Sequence, residues 1–249
     1  MKAMDMALIL MAFAGIALGG FLKGATGAGA PVVGVPVLAV VFDVPMAVAI
    51  FSVLNVISNA WQAKTYYHEI TDIRFAWTHA VFAALGVVPG SILLARLPTE
   101  VLMAVMSGVV FLYISLRLMR PGWTLARQTG RRLASSLGFL GGVMQGAGGL
   151  SAPVSVSFLN ALQLPRVEFI GTISVFFLLM SLFQVPTLVL LGILSWDRVG
   201  LALLAAVPLF LGIALGSFSA RYLSRELFDR AILGLLTLIA LKLLWDAVY

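Results

Sequence analysis

The chain of 249 residues has no cysteine, only two histidines, and charge at just 10% of its positions. Without cysteine there are no disulfides, no thiolate nucleophile and no cysteine-ligated metal. His68 and His79 have no partner at metal-ligand spacing and make no metal site. Soluble domains carry about 25% charged residues. A content of 10%, with 61% hydrophobic residues and a mean hydropathy of +1.08, excludes a soluble fold. There is no H-E-x-x-H, no G-x-S-x-G and no phosphate loop ending in lysine and serine or threonine. Gly149-Leu150-Ser151-Ala152-Pro153 has a superficial likeness to a nucleophile elbow, with no histidine near it. The chain is read as a non-enzyme without a cofactor. Its net charge of +6 would point to nucleic acid in a soluble protein. Here it reads as charge that sets membrane orientation and attracts anionic lipid, so no nucleic-acid partner is expected.

What is present in abundance is apolar sequence. Eight segments are long enough to span a bilayer, roughly 6–22, 45–63, 75–95, 100–118, 133–147, 167–194, 199–220 and 228–247. The first could be mistaken for a cleaved signal peptide, but its counterpart near Leu137 to Met144 lies mid-chain, so it is expected to be mature structure. Two further apolar pieces, 32–42 and 154–164, are too short to cross comfortably and suit half-helices or re-entrant segments. Trp61, Tyr66, Tyr67, Trp77, Trp196 and Trp245 fall near the predicted span ends, as interfacial aromatics do. The fold expected is an all-α integral membrane protein of about eight transmembrane helices.

A glycine cluster closed by proline precedes each short piece. Lys23-Gly24-Ala25-Thr26-Gly27-Ala28-Gly29-Ala30-Pro31 returns 122 residues later as Gln145-Gly146-Ala147-Gly148-Gly149-Leu150-Ser151-Ala152-Pro153. At the same offset Gly19-Gly20 matches Gly141-Gly142, Ser52 matches Ser174, and Gln62 matches Gln184. Beyond a four-residue insertion the offset becomes 126, where Gly86, Gly90, Ser91, Glu100 and Gly108 face Gly212, Gly216, Ser217, Glu226 and Gly234. The ordered series points to internal duplication. The repeats are 1–120 and 133–249, joined by a basic linker, 121–132. The linker arginines place that segment in the cytoplasm. Counting four spans per half then puts Lys2, the Lys64 to Arg74 loop, Arg198 and the C-terminus inside, and makes the repeats parallel. It leaves 221–230, with Arg221, Arg225 and Arg230, awkwardly outside. If a short piece crosses, parity changes and the repeats are inverted.

Interrupted helices at matching places in two halves are the best sequence pointer to a transporter's binding site. Gly27-Ala28-Gly29 and Gly149-Leu150-Ser151 can expose backbone amides before a proline-started helix, and amides plus the helix dipole favour an anion. The candidate substrate-binding residues are Lys23, Gly24, Thr26, Gly27, Gly29, Asn55 and Gln62 in the first half. In the second they are Gln145, Gly146, Gly148, Gly149, Ser151 and Gln184. The plainer reading of the glycines is close helix packing, since Gly20 and Gly24, and Gly142 and Gly146, have small-xxx-small spacing. Lys23 either supplies positive charge to a substrate or snorkels to an interface. Ser52, Asn55 and Asn59 share a helix face with Ser58 and Gln62 nearby; Ser174, Ser181 and Gln184 follow in the second half. They line a polar path or bond between helices. Asp43 and Glu168 lie beside Pro45 and Pro165-Arg166, which favours loop or salt-bridge roles over proton transfer. Glu100 and Glu226 suit helix first turns.

The duplicated clusters, from Gly20-Phe21-Leu22-Lys23 to Pro31 and from Gly141-Gly142-Val143-Met144 to Pro153, together with Asn55, resemble the sulfite exporter TauE/SafE family over nearly the whole chain. The resemblance implies a bacterial inner-membrane protein of about eight helices with an internal duplication. It also implies transport of sulfur oxyanions, organic sulfonates or other small organic anions, with sulfite one candidate. The expected partners are a small anionic substrate and the lipid bilayer, and the sequence leaves homo-oligomerisation open. With no nucleotide site, the energy must come from a gradient or the membrane potential, which drives an anion outward by about 2.3 kcal/mol per charge per 100 mV. The scarcity of buried carboxylates favours export. The competing classes are an anion channel and a non-transporting membrane assembly subunit.

Overall fold

The computed structural model describes residues 6–119, 123–219 and 225–248. Lys2 and Arg221, used above for orientation, lie outside them, as do the side chains of Arg225 and Glu226. Among the described residues the chain is entirely helical. The elements are α1 (Met6–Thr26), α2 (Ala30–Val41), α3 (Val44–Tyr66), α4 (Ile73–Arg96) and α5 (Thr99–Met119), then α6 (Arg127–Gly148), α7 (Ser155–Ala161), α8 (Arg166–Leu190), α9 (Trp196–Ser219) and α10 (Arg225–Val248). A 3₁₀ turn, Tyr67–Glu69, follows α3. Six helices (α1, α3, α4, α5, α8 and α9) are long and apolar enough to cross a membrane. α6 and α10 are of similar length, 22 and 24 residues, and α6 starts inside the basic linker.

Local chemistry sets the boundaries. Asp43 caps α3, its Oδ1 accepting from Met46 N at 2.6 Å, and Pro45 occupies the first turn, where its missing N–H costs nothing. Asp72 caps α4 through Phe75 N at 3.1 Å. At the glycine clusters the two helix ends close alike: Gly27 N donates to Lys23 O and Gly149 N to Gln145 O, each at 2.7 Å. The chain then passes through left-handed backbone at Gly29 (φ 95°) and Gly149 (φ 71°), a conformation that side chains with a Cβ resist. Pro31 sits in the first turn of α2. Pro153 instead lies in a turn ahead of α7, which begins only at Ser155.

Helix directions follow from contacts. α2 folds back along α1, Gly15 facing Val37 and Gly19 facing Ala30 and Gly34; α7 folds back along α6, Gly141 facing Ser155 and Gly130 facing Leu162. α3 and α8 run antiparallel, since Gly171 packs on the Tyr66 carbonyl while Ser174 Oγ donates to Gln62 Oε1 at 3.3 Å. The starts of α4, α6 and α8 meet at one end, where Arg127 bonds Glu168 (3.1 Å) and Arg131 bonds Asp72. Thr71 donates to Glu168 there too, so both acids named in the sequence, Asp43 and Glu168, have structural partners. α1, α3, α5 and α9 start from the opposite end. α1 therefore starts at one end and α6 at the other, so the two stretches that the sequence pairs run in opposite directions. The returning segments α2 and α7 supply the odd crossing that a count of four per half omits. They also place the start of α1, Arg198 and the end of α10 opposite the linker, and the end of α9 and the start of α10 at the linker end.

The halves interlock through glycine. An added Cβ on Gly20 or Gly24 would strike the carbonyls of Leu209 or Ile213, so α1 lies backbone-to-backbone on α9. At equivalent positions, Gly142 and Gly146 meet the carbonyls of Ala83 and Val87, packing α6 on α4. Gly212 and Gly216 meet Ala17 and Phe21, as Gly86 and Gly90 meet Phe139 and Val143. Each half thus docks its first helix on the other's fourth, at the small-residue spacing that lets backbones approach in lipid.

Candidate functional site

The tips of the two hairpins, α1–α2 and α6–α7, meet inside the bundle. Gly29, Pro31 and Val32 of the first tip pack against Gln145, Leu150 and Ser151 of the second along a narrow crevice too tight to admit a water molecule, with Phe177 of α8 along its side. The crevice is edged by polar atoms without partners. Ser151 Oγ and Gln145 Oε1 are buried and unbonded, as is Oε1 of Gln184, whose Nε2 reaches Gln145 O; Ser181 Oγ, Asn55 Nδ2, Ser91 Oγ, Ser155 Oγ and His79 Nε2 are likewise buried without a partner. Buried polar groups are ordinarily satisfied, and each one left bare costs about 1–3 kcal/mol. Two of them, on Gln145 and Ser151, lie where the hairpin tips meet.

Lys23, one turn before the first tip, is only 2% exposed. Its Nζ donates to Ser58 Oγ (2.9 Å) and Asn59 Oδ1 (2.7 Å). Asn59 Nδ2 in turn donates to Asn55 O at 2.9 Å. Among the described residues no carboxylate lies within ion-pair distance of Lys23, so its hydrogen-bond partners are neutral. It does not snorkel. The polar face of α3 thus serves to hold a buried amine, which the sequence proposed for neither Ser58 nor Asn59 although their spacing on the Asn55 stripe carried the signal.

The remaining candidates divide. Gln184 Nε2 donates to Gln145 O at 3.4 Å, which ties α8 to the second tip. Gln62 is held by Ser174, away from the crevice. Thr26 keeps its hydroxyl local, within 2.8 Å of Leu22 O and 2.7 Å of Ala28 O. Gly24 and Gly146 sit in the helix crossings, and Gly27 packs on Ile170. Gly148 borders open space. Phe177 gave no sequence signal, since an aromatic in an apolar helix is ordinary.

A larger cavity of about 500 Å³ lies at the linker end, between the first tip, α7 and the ends of α5 and α8. Thr26, Gly29, Arg117, Asn160 and Arg166 contribute its polar lining. Arg166 Nη2 donates to Ala25 O at 3.2 Å and so fixes the tip from the cavity side. Gly29 and Val32 border both the crevice and the cavity.

Apolar spans, returning hairpins and a buried polar meeting point define a multi-pass membrane protein. The chain matches the sulfite exporter TauE/SafE family over residues 11–243, nearly its full length, and belongs to that family. The family is one of membrane transporters for sulfur anions and not of enzymes. No curated protein and no solved structure matches the chain.

Proposed function

We propose that this protein is a secondary transporter that exports a small sulfur-containing anion, sulfite or an organic sulfonate, across the bacterial inner membrane. It does so through eight spans in two inverted repeats, 1–120 and 133–249, joined by 121–132. The anion binds near the midplane where the two hairpin tips meet. The observation that carries this reading is the crevice itself, where a 12-residue helix presents its N-terminus at Gly29–Pro31 to the unpartnered, 1% exposed Ser151. At the start of α2 Pro31 has no N–H and Val32 N donates to Gly29 O at 3.0 Å, so the Ala30 amide and the helix dipole are what favour negative charge there. The Ser151 hydroxyl adds a donor, and the Gln145 amide adds two once its oxygen and nitrogen are exchanged by a flip. α7, with seven residues beginning four beyond Ser151, contributes its preceding turn and not a helix end. Lys23, one turn before the tip, adds a buried amine whose bonded partners, Ser58 and Asn59, are neutral.

The test is flux of sulfite and of an organic sulfonate in liposomes carrying wild-type protein or Gly27→Val, Ser151→Ala and Lys23→Ala. Saturable flux that falls at least about tenfold, or 1.4 kcal/mol of barrier, in Ser151→Ala and Lys23→Ala supports the site. Normal flux in folded Gly27→Val and Ser151→Ala protein removes it. Unitary currents instead of saturable exchange would make the protein a channel.

A further inference from the structure

The cavity at the linker end has an internal counterpart. Carrying its lining residues across the repeat, by 122 positions in the hairpins and 126 in the later helices, generates a second set at the opposite end. Asn160 maps to Leu38, Arg166 to Val44 and Arg117 to Leu243. The first member of each pair is exposed at the cavity. The second members are sealed in the main hydrophobic core, at 1%, 0% and 0% exposure. The segments that carry them differ too: α2 is a continuous helix of 12 residues, whereas the equivalent stretch has a turn followed by the seven residues of α7. Two halves that dock through matched glycine contacts thus hold unlike conformations at one matched place, with one vestibule open and the other packed shut.

We propose that the packed region around Leu38, Val44 and Leu243 is a second, latent vestibule for the same anion, which opens to the opposite end as the linker-end cavity closes. The inference rests on the transporter reading of the hairpin crevice, which lies between the two vestibules. Inverted repeats allow the exchange at little cost, because each half has a conformation that its partner already shows to be attainable. The two vestibules differ in chemistry. The open one carries Arg117 and Arg166 at its walls and gathers anions. The latent one is apolar and retains none, so an anion released there is not held. The apolar lining also makes the closed gate watertight, since separating Leu38, Val44 and Leu243 exposes hydrocarbon to water.

The chain has no cysteine, so one introduced thiol is a unique reporter. Asn160→Cys, Leu38→Cys and Ala47→Cys proteins (Ala47 is the counterpart of Phe169) are treated in sealed vesicles with a membrane-impermeant thiol reagent from either side. The expected result is modification of Asn160→Cys from the linker side only, and of Leu38→Cys and Ala47→Cys from the opposite side only. Adding Leu38→Asn to Asn160→Cys, which weakens the seal, is expected to slow modification at position 160 by about threefold as the population shifts. If neither Leu38→Cys nor Ala47→Cys reacts in folded protein, the region is a fixed seal and the proposal falls. It falls equally if the Leu38→Asn change leaves modification at position 160 undiminished, which describes a continuous pore. No anion is needed in these measurements, so a failure of sulfite or sulfonate flux would reject the substrate and leave the gating result standing.

Discussion

A lysine amine buried among neutral partners is the most demanding single residue in this protein. Placing it at a helix centre costs about 3 kcal/mol on insertion scales, while hydrogen bonds to a charged donor return about 1.5–3 kcal/mol each. Lys23 makes two, so the folded state is close to balanced without any guest. Lys23→Met is therefore expected to leave the melting temperature in detergent within a few degrees of wild type while abolishing sulfite flux. A large loss of thermal stability would make Lys23 a strut. A second residue acts at the linker end. Burial of the Asp72 carboxyl opposes its ionisation, but the Arg131 hydrogen bond, the Phe75 amide and the charges of Arg131 and Arg127 outweigh it, holding the group below the usual carboxylate range. A carboxyl depressed in the folded state adds stability above its unfolded pKa of about 3.9 and loses it as pH falls through the folded value. Asp72→Asn should lower the melting temperature at pH 7. The difference should shrink as both proteins are acidified below the ordinary aspartate range, and a gap that widens on acidification would contradict the assignment.

At the scale of elements, the glycine seams decide which helices meet. Gly20 on α9 and Gly142 on α4 are equivalent contacts against the carbonyls of Leu209 and Ala83, with backbone and not a flexible side chain in the way. Overpacking such a seam costs about 1–3 kcal/mol or more. Gly20→Val and Gly142→Val are thus expected to lower the melting temperature by similar amounts, whereas Gly108→Ala, which faces open space, should leave it unchanged. A tolerant Gly142 beside an intolerant Gly20 would show that the seams are not equivalent. These seams also show how far the residues alone could be read. The long helices were legible from apolar length, and the packing role of Gly20, Gly24, Gly142 and Gly146 from their spacing. The direction of the repeats was not, because α2 and α7 are too short to count as spans and only contacts reveal that they carry the chain back. The meeting of Gly29 with Ser151 across the crevice was legible only as a duplicated break. Which tip residues face the crevice and which face a neighbouring helix depends on rotation about α1 and α6, and composition holds no record of that. Gly24 and Gly27 thus belonged to one motif yet pack against different helices, α9 and α8.

Over the whole molecule, the helix directions divide the basic residues between the two ends. Lys64, Arg74, Arg117, Arg127, Arg131, Arg132, Arg166 and Arg230 lie toward the end that holds the linker, whereas Arg96, Arg198 and Lys242 lie toward the other. Lys242 is moreover paired with Asp246. The excess of basic residues in short loops sets cytoplasmic orientation, with acidic residues contributing little. By that rule the linker end and its open cavity are expected to face the cytoplasm, and the starts of α1 and α9 and the end of α10 to face away from it. This arrangement suits export. A cavity walled by arginine raises the local concentration of anions on the side from which they leave, and the inside-negative potential then drives each charge outward by about 2.3 kcal/mol per 100 mV. Orientation can be read without knowing the cargo. In intact cells, Ser195→Cys, in the exposed loop before α9, should react with an impermeant thiol reagent from outside. Gln163→Cys, beside the cavity, should react only after the membrane is opened. The opposite pattern would put the arginine-walled cavity on the outer surface, where it would collect anions for uptake, and both the orientation and the exporter reading would have to be abandoned together.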